Sequence, residues 1–267
     1  MSSSSHASRA ALRREVDARI GSCTLAVAEE LLAVAALAAT DKALRTALAD
    51  AGQPVEARQA LAGDLFGSRV SATAVELIRA AVAIRWADAD ELVVALEELG
   101  AVAAFTAAEA DGTLGAVEEE LFLFGRAVEA NPQLQMTLTN PANSADAKSA
   151  LVRDLMSGAV PTASALLAHA AANLRGRRVD AVVTGLCNLA AAQRDRVVAQ
   201  VRVAVALDEA RTQRLSAALA RFAGREVRLN VVVDPAVLGG ASVRLGDEVI
   251  DGTMLTRLTQ ARRSLVG

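Results

Sequence analysis

The sequence predicts an α+β chain: an all-α helical-bundle N-terminal region made of two related copies, followed by a small α/β C-terminal domain. Three observations predict it. Up to about residue 195, apolar residues recur at spacings of three and four, the period of a helix with one buried face. After Arg196 the period falls to two, as in a strand with one buried face. The helical part also repeats itself: "LRTALADAGQPVEARQALAGDLF" from Leu44 aligns without a gap on "LQMTLTNPANSADAKSALVRDLM" from Leu134, ninety positions on. The register holds upstream, where Glu29-Glu30-Leu31 meets Glu119-Glu120-Leu121, and downstream, where Leu99 meets Leu189, and it keeps Asp64 over Asp154. A gapless match of that length argues for an internal duplication. The expected domains are 1–110 (the first copy with its N-terminal helix), 111–195 (the second copy) and 196–267 (the α/β domain).

The totals bound the function. With 267 residues, 53% of them hydrophobic, the chain can bury a sizeable core. Its 28 basic and 31 acidic residues leave a net charge of -3, so no positive field draws in nucleic acid. Aromatics are 2% and tyrosine is absent, which leaves few rings for base stacking. The longest strongly apolar run, Leu31 to Ala39, is about half of the ~20 residues that a spanning helix needs, so no membrane span is predicted. Cys23 and Cys187 lie outside any CxxC spacing in apolar segments and are expected to be buried free thiols. The N-terminus, MSSSSHASRAALRREVD, mixes serine and arginine like a transit peptide, but Glu15 and Asp17 follow at once. It is expected to be a short frayed tail, His6 included, running into a helix.

Along the first copy, Leu61, Leu65, Val75, Ile78 and Val82 fall on one helical stripe. Pro54 suits a first-turn position, Thr73 with Glu76 and Asp88 with Glu91 fit capping boxes, and Asn131-Pro132 opens the matching segment of the second copy. The two bundles are expected to join near Glu109 to Gly115. His169, in "ASALLAHAAANL", lacks a partner motif and is expected to be a satisfied core or interface histidine. Arg175, Arg177 and Arg178 interrupt a helix junction, unlike the single basic face of a DNA-reading helix, and are expected on a solvated or partner-contacting surface. In "RVVAQVRVAVAL", Val197, Ala199, Val201, Val203 and Val205 alternate with polar residues. Asp208 then caps a helix with Leu215, Leu219 and Phe222 on its stripe, Gly224 ends it, and Val227, Leu229, Val231 and Val233 alternate again.

The stretch "DPAVLGGASVRLGDEVIDGTMLTRL", residues 234 to 258, concentrates glycines and aspartates. A phosphate loop needs glycines leading into a helix N-terminus, usually with a lysine; here Gly239-Gly240 leads into the strand pattern "ASVRL". Paired-carboxylate chemistry needs Asp234 and Asp251 to converge in a cleft, whereas each stands where aspartate serves turns, before Pro235 and before Gly252. The remaining reading is structural: strand, Asp-Pro, Gly-Gly turn, strand, a Gly246-Asp247 hairpin, strand, Asp-Gly, and a helix capped by Thr253. That helix places Leu255, Leu258, Ala261 and Leu265 along one side, with Arg257, Arg262 and Arg263 elsewhere.

In this order and spacing, Asp234-Pro235, Gly239-Gly240, Gly246-Asp247, Asp251-Gly252-Thr253, Leu258 and the Arg262-Arg263-Ser264-Leu265 ending resemble the signature of the delta/OSCP family of F-type ATP synthases. "LTNPANSADAKSAL" from Leu138 and "NLRGRRVD" from Asn173 are similar to two further family motifs, so the resemblance covers about residues 115 to 267 and reaches the rest through the repeat. The chain looks like a long, actinobacterial-type member, and it departs from the common form in lacking the Tyr-Ala pair of the first helix. The resemblance implies a non-catalytic stator part. The helical region would hold the N-terminal helices of the alpha subunits and the C-terminal domain the C-terminal end of the b subunit, with Leu255, Leu258 and Arg262 offered for the b contact. It implies no cofactor, no metal, no catalytic residue and no nucleic acid, and a place at the cytoplasmic face of the plasma membrane, attached only through the complex. The alternative is a helical-repeat adaptor or regulatory protein unrelated to ATP synthase.

Overall fold

The computed structural model describes residues 3–194, 197–205, 207–223, 227–234, 241–245 and 248–251. They build α1 (Ser3–Ala18), a 3-10 turn (Ile20–Ser22), α2 (Leu25–Thr40), α3 (Lys42–Ala49), α4 (Val55–Phe66), α5 (Ala72–Ala83) and α6 (Ala89–Ala110). There follow α7 (Leu114–Ala130), α8 (Pro132–Thr139), α9 (Ala145–Leu155), α10 (Pro161–Ala172) and α11 (Val179–Arg194). The chain then forms β1 (Val197–Val203), α12 (Glu209–Ala223), β2 (Val227–Val233), β3 (Ala241–Leu245) and β4 (Glu248–Asp251). It is thus mostly helical, with a small sheet, and divides into two units, Met1–Gln193 and Arg194–Gly267.

The helical unit is laid out by caps. Asp41 accepts a hydrogen bond from the Leu44 N–H at 3.0 Å, and ninety residues on Asn131 accepts from the Leu134 N–H at 3.1 Å, with Pro132 in the first turn. Asp50 takes the Gly52 N–H and Asn140 takes the Ala142 N–H, both at 2.9 Å. Each such side chain satisfies a backbone donor that a turn or helix start leaves free, worth about 1 kcal/mol at a cap. Shifted by ninety positions, α2 to α5 fall on α7 to α10 within one residue at either end. The helices α6 and α11 also begin ninety apart, but α11 stops six residues short of the length of α6, where the chain turns to strand. Buried residues from Leu12 to Ala190 form one continuous apolar cluster that both halves share, with Leu31 and Leu121, and Leu48 and Leu138, fully buried at matching positions.

Several expectations for this unit need correction. The first helix reaches back to Ser3 instead of following a frayed tail: Leu12 and Val16 are buried and Arg9 pairs with Glu98 at 2.9 Å, and once a helix is anchored, each further turn propagates at little cost. Thr73 lies inside the first turn of α5; the cap is Ser71, which accepts from the Ala74 N–H. Ser71 is chosen because its own N–H and hydroxyl both donate to Glu30, at 3.0 and 2.6 Å. Leu61 and Leu65 belong to α4 and Val75, Ile78 and Val82 to α5, so the stripe is two helices, and Leu65 is 38% exposed. Asp88 does cap α6, accepting from the Asp90 N–H at 2.7 Å, while Glu91 accepts from Ala87. Cys23 is buried, but Cys187 is only half-buried; both are free.

The second unit has strand order β2-β1-β3-β4, with β1 and β2 parallel and the other pairs antiparallel. A parallel pair needs a crossover, and α12 supplies it, capped by Asp208 accepting from the Arg211 N–H at 2.7 Å. Alternation works as expected in the middle: Val201, Val203, Val227, Val243 and Leu219 are buried together while Arg202 faces out. It fails at the ends, where Val205, Phe222 and Val233 are 74%, 60% and 50% exposed, because β1 stops at Val203 and only the middle of α12 reaches the small core. Register pairs Leu245 with Glu248; the expected Gly246-Asp247 turn lies outside the described residues. Gly224 lies outside the described residues.

Candidate docking surfaces

Of the C-terminal signature, the structure places two members. Asp234 follows β2 and its N–H donates to the Val203 carbonyl at 2.8 Å, tying the end of β2 to β1. Asp251 ends β4 opposite Ser242. Asp234 and Asp251 thus both stand at strand ends. Pro235, Gly239, Gly240, Gly246, Asp247, Gly252, Thr253, Leu255, Leu258 and Arg262 lie outside the described residues. Among the described residues, no group of three or more His, Cys, Asp or Glu side chains is placed to hold a metal.

Among the described residues, a polar cluster gathers in the helical unit around Glu97 of α6. Arg175 reaches its carboxylate at 2.5 Å and Arg177 at 3.1 Å. Arg175 sits at φ 49° and Gly176 at φ 77°, two successive left-handed residues that turn the chain between α10 and α11; the arginine there is strained and its ion pair holds it. Arg178 is exposed and paired with Asp180 at 2.9 Å. The three arginines thus each meet an acid within the helical unit, Arg175 and Arg177 sharing Glu97 and Arg178 taking Asp180 at the surface. His169 lies beside it, with Nδ1 3.3 Å from the Asn173 amide nitrogen and Nε2 4.0 Å from Glu97. Burial, followed by the Arg177 and Arg175 charges, pushes its pKa down to about 4. The ring is thus neutral at pH 7, and its buried Nε2 has no hydrogen-bond partner, so it is only half satisfied where full satisfaction was expected. Burial pushes the Cys187 thiol up, away from a reactive thiolate.

Two open grooves lie between helices of this unit. One, of about 420 Å³, has Leu12 and Glu15 of α1 and Arg19 just after it on one side and Glu76, Ala80, Ala83 and Ile84 around α5 on the other; Arg19 bridges Glu15 and Glu76. The other, of about 500 Å³, is walled by Leu32, Ala33, Ala36 and Leu37 of α2, Ser149 and Arg153 of α9, and Ala165, His169 and Ala172 of α10. Alanine walls with charged rims suit a helix that brings large apolar side chains, the helix-in-groove mode of recognition. Sequence periodicity did not reveal either groove, since each is formed by helices distant in the chain.

The described residues define a helical scaffold with open grooves between its helices, followed in the chain by a small mixed sheet. Comparison with known proteins gives the particular family. A family model described as "ATP synthase delta (OSCP) subunit" matches residues 100–265. The protein named ATP synthase subunit delta of Streptomyces avermitilis is 44% identical over 260 residues, covering 96% of this chain and 95% of that one. Its namesake from Parafrankia sp. is 46% identical over 240 residues, 90% of this chain and 86% of the other. That of Streptomyces griseus subsp. griseus is 41% identical over 271 residues, covering both chains fully. The chain belongs to the ATP synthase delta (OSCP) subunit family. Among solved structures, one chain of the Toxoplasma gondii mitochondrial ATP synthase hexamer is 21% identical with a TM-score of 0.28, covering 64% of this chain and 97% of that chain.

Proposed function

We propose that this chain is a peripheral-stalk, or stator, subunit of F1Fo ATP synthase that ties the catalytic alpha/beta head to the b-subunit stalk. The observation that carries this reading is family membership along almost the whole chain: relatives named ATP synthase subunit delta cover up to 100% of it. An unrelated helical adaptor is not favoured by relatives of such coverage. The role is structural. Rotation of the central stalk would drag the head around unless the head were held. A tie of nanomolar affinity supplies about 12 kcal/mol, and two contacts joined in one chain strengthen each other through local concentration.

In this reading the helical region, 1–195, takes the N-terminal helices of the alpha subunits, for which the two grooves are the candidate seats, and 196–267 takes the C-terminal end of b. Residues 1–110 and 111–195 are two copies made by tandem duplication, a reading supported by helix boundaries, caps and buried leucines that recur ninety positions apart. No helix among the described residues is long and apolar enough to cross a membrane. The chain therefore reaches the cytoplasmic face of the plasma membrane through its partners, and it turns over no substrate. Affinity purification of the tagged chain from solubilised membranes tests this: alpha and b chains should co-purify in near-equal recovery, and the absence of both overturns the proposal.

A further inference from the structure

We propose that Gln193 is the mechanical anchor of this chain, a positioning residue that spreads load from the second unit over three helices of the first. The inference rests on the stator reading. The two units meet in sequence between Gln193 and Arg194, and both cysteines are free and lie in the first unit, so the peptide bond after Gln193 is the covalent path between them. A stator held at the head by one unit and at the stalk by the other loads that bond on every turn.

A helix pulled by its end frays one backbone hydrogen bond at a time, each worth little net. The end of α11 is built against this. Gln193 is fully buried, which is rare for a glutamine, and both ends of its amide are used. Its Oε1 accepts from Arg13 of α1 at 3.0 Å, and its Nε2 donates to Glu109 in the last turn of α6 at 2.6 Å. The partners lie 180 and 84 residues away in the chain. Load arriving at Arg194 thus meets a side chain fastened to two other helices, so that yielding requires their joint displacement. Ninety positions earlier stands Ala103, buried in the middle of α6, where the helix runs on and no exit needs fastening. The amide occurs at the copy's end from which the chain departs.

The test uses ATP synthase reconstituted in proteoliposomes with the wild-type chain, Gln193→Met, and Glu97→Gln as a control that loosens a buried polar cluster elsewhere. With Gln193→Met, alpha and b should still co-purify and ATP hydrolysis should stay unchanged. Protons pumped per ATP against a preformed gradient should fall at least threefold, and amide exchange in α1 and at the end of α6 should rise about tenfold. Glu97→Gln should pump like wild type. Wild-type pumping by Gln193→Met, unchanged exchange in α1, or an equal loss with Glu97→Gln overturns the anchor. Should Gln193→Met not fold, Arg13→Met, which removes one arm, is scored by the same criteria. If the wild-type chain itself restores no pumping, the stator reading fails, while amide exchange still decides whether Gln193 fastens the three helices.

Discussion

Arg58 and Lys148 stand ninety positions apart on α4 and α9, and both are buried, yet only the arginine makes side-chain hydrogen bonds among the described residues. Its guanidinium donates to the carbonyls of Val82, Ile84 and Ala83 at 2.5, 3.1 and 3.5 Å, closing the end of α5, where carbonyls lack helical partners and the dipole favours a cation. In the second half the matching carbonyls are served from the other side. Arg177 donates to Asn173 and Leu174 at 2.9 and 3.0 Å, and the Asn173 side chain donates to His169 at 2.9 Å. One task, closing α5 or its counterpart α10, falls to a residue on the preceding helix in the first half and to one on the following loop in the second. The same arginine also pairs with Glu97 of the first half, so the second solution joins the two halves as well. The comparison teaches that helix boundaries can correspond at positions ninety apart while the polar groups that close the helices differ.

That difference can be broken experimentally. Arg58→Met leaves three carbonyls at the end of α5 without their buried donor and should lower the unfolding free energy by ~3 kcal/mol, the scale of breaking a buried charged hydrogen-bond set. Lys148→Met should change it by under ~1 kcal/mol, because the lysine makes no side-chain hydrogen bond among the described residues and methionine keeps its apolar stem. Urea unfolding of the full chain at pH 7.5 or so reads both. Equal losses at the two positions would mean that Arg58 has no special part in closing α5.

Acid should sharpen the comparison, with a somewhat smaller effect. Position 79 holds an exposed arginine, and ninety residues on His169 is largely buried with its pKa at about 4, against 6.5 for a free side chain. The unfolded chain takes this proton first. The stability linked to the neutral ring is therefore fully present above pH 6.5 and is lost as pH falls through 6.5 towards 4. Between pH 7 and pH 5 the loss amounts to about 2 kcal/mol. Wild type should lose that much more than His169→Gln over this interval, measured by the same urea titrations. Parallel losses in the two proteins would show that His169 takes its proton equally in both states.

Much of this was legible in the sequence, and the failures share a cause. The helix opened by Asn131-Pro132, the caps at Asp88 and Asp208, and the change to strand period could be seen because each is a local signal between residues a few positions apart. Ser71 could not be preferred over Thr73, because its advantage is Glu30, a partner 41 residues away. Arg175 and Arg177 looked like a surface because their acid, Glu97, lies 78 to 80 residues upstream. Gln193 and Arg58 carried a weaker signal, a polar residue set inside an apolar helical stripe, which periodicity treats as noise and burial turns into a constraint. The candidate grooves were invisible for the same reason: helix pairs, not helices, make them.

The smallest effect concerns how closely paired helices lie in the two halves. Gly100 of α6 faces α2 so tightly that an added Cβ would stand 2.8 Å from Leu32 side-chain carbons and 3.3 Å from the Ala28 carbonyl. Ninety positions on, Ala190 fills the same place, and Phe122, the counterpart of Leu32, is 61% exposed while Leu32 is buried. The second pair of helices is not clasped at that point. Alanine improves helix propensity over glycine by about 1 kcal/mol, whereas overpacking costs ~1–3 kcal/mol, so Gly100→Ala should be destabilising by roughly 1 kcal/mol. Ala190→Gly should cost about the same for the opposite reason, lost propensity without strain. A second substitution separates the two causes: Leu32→Ala should cost less in the Gly100→Ala background than in wild type, and Phe122→Ala should be indifferent to residue 190. Simple additivity at both positions would mean that α2 and α6 yield as easily as α7 and α11, and that Gly100 has no part in their close approach.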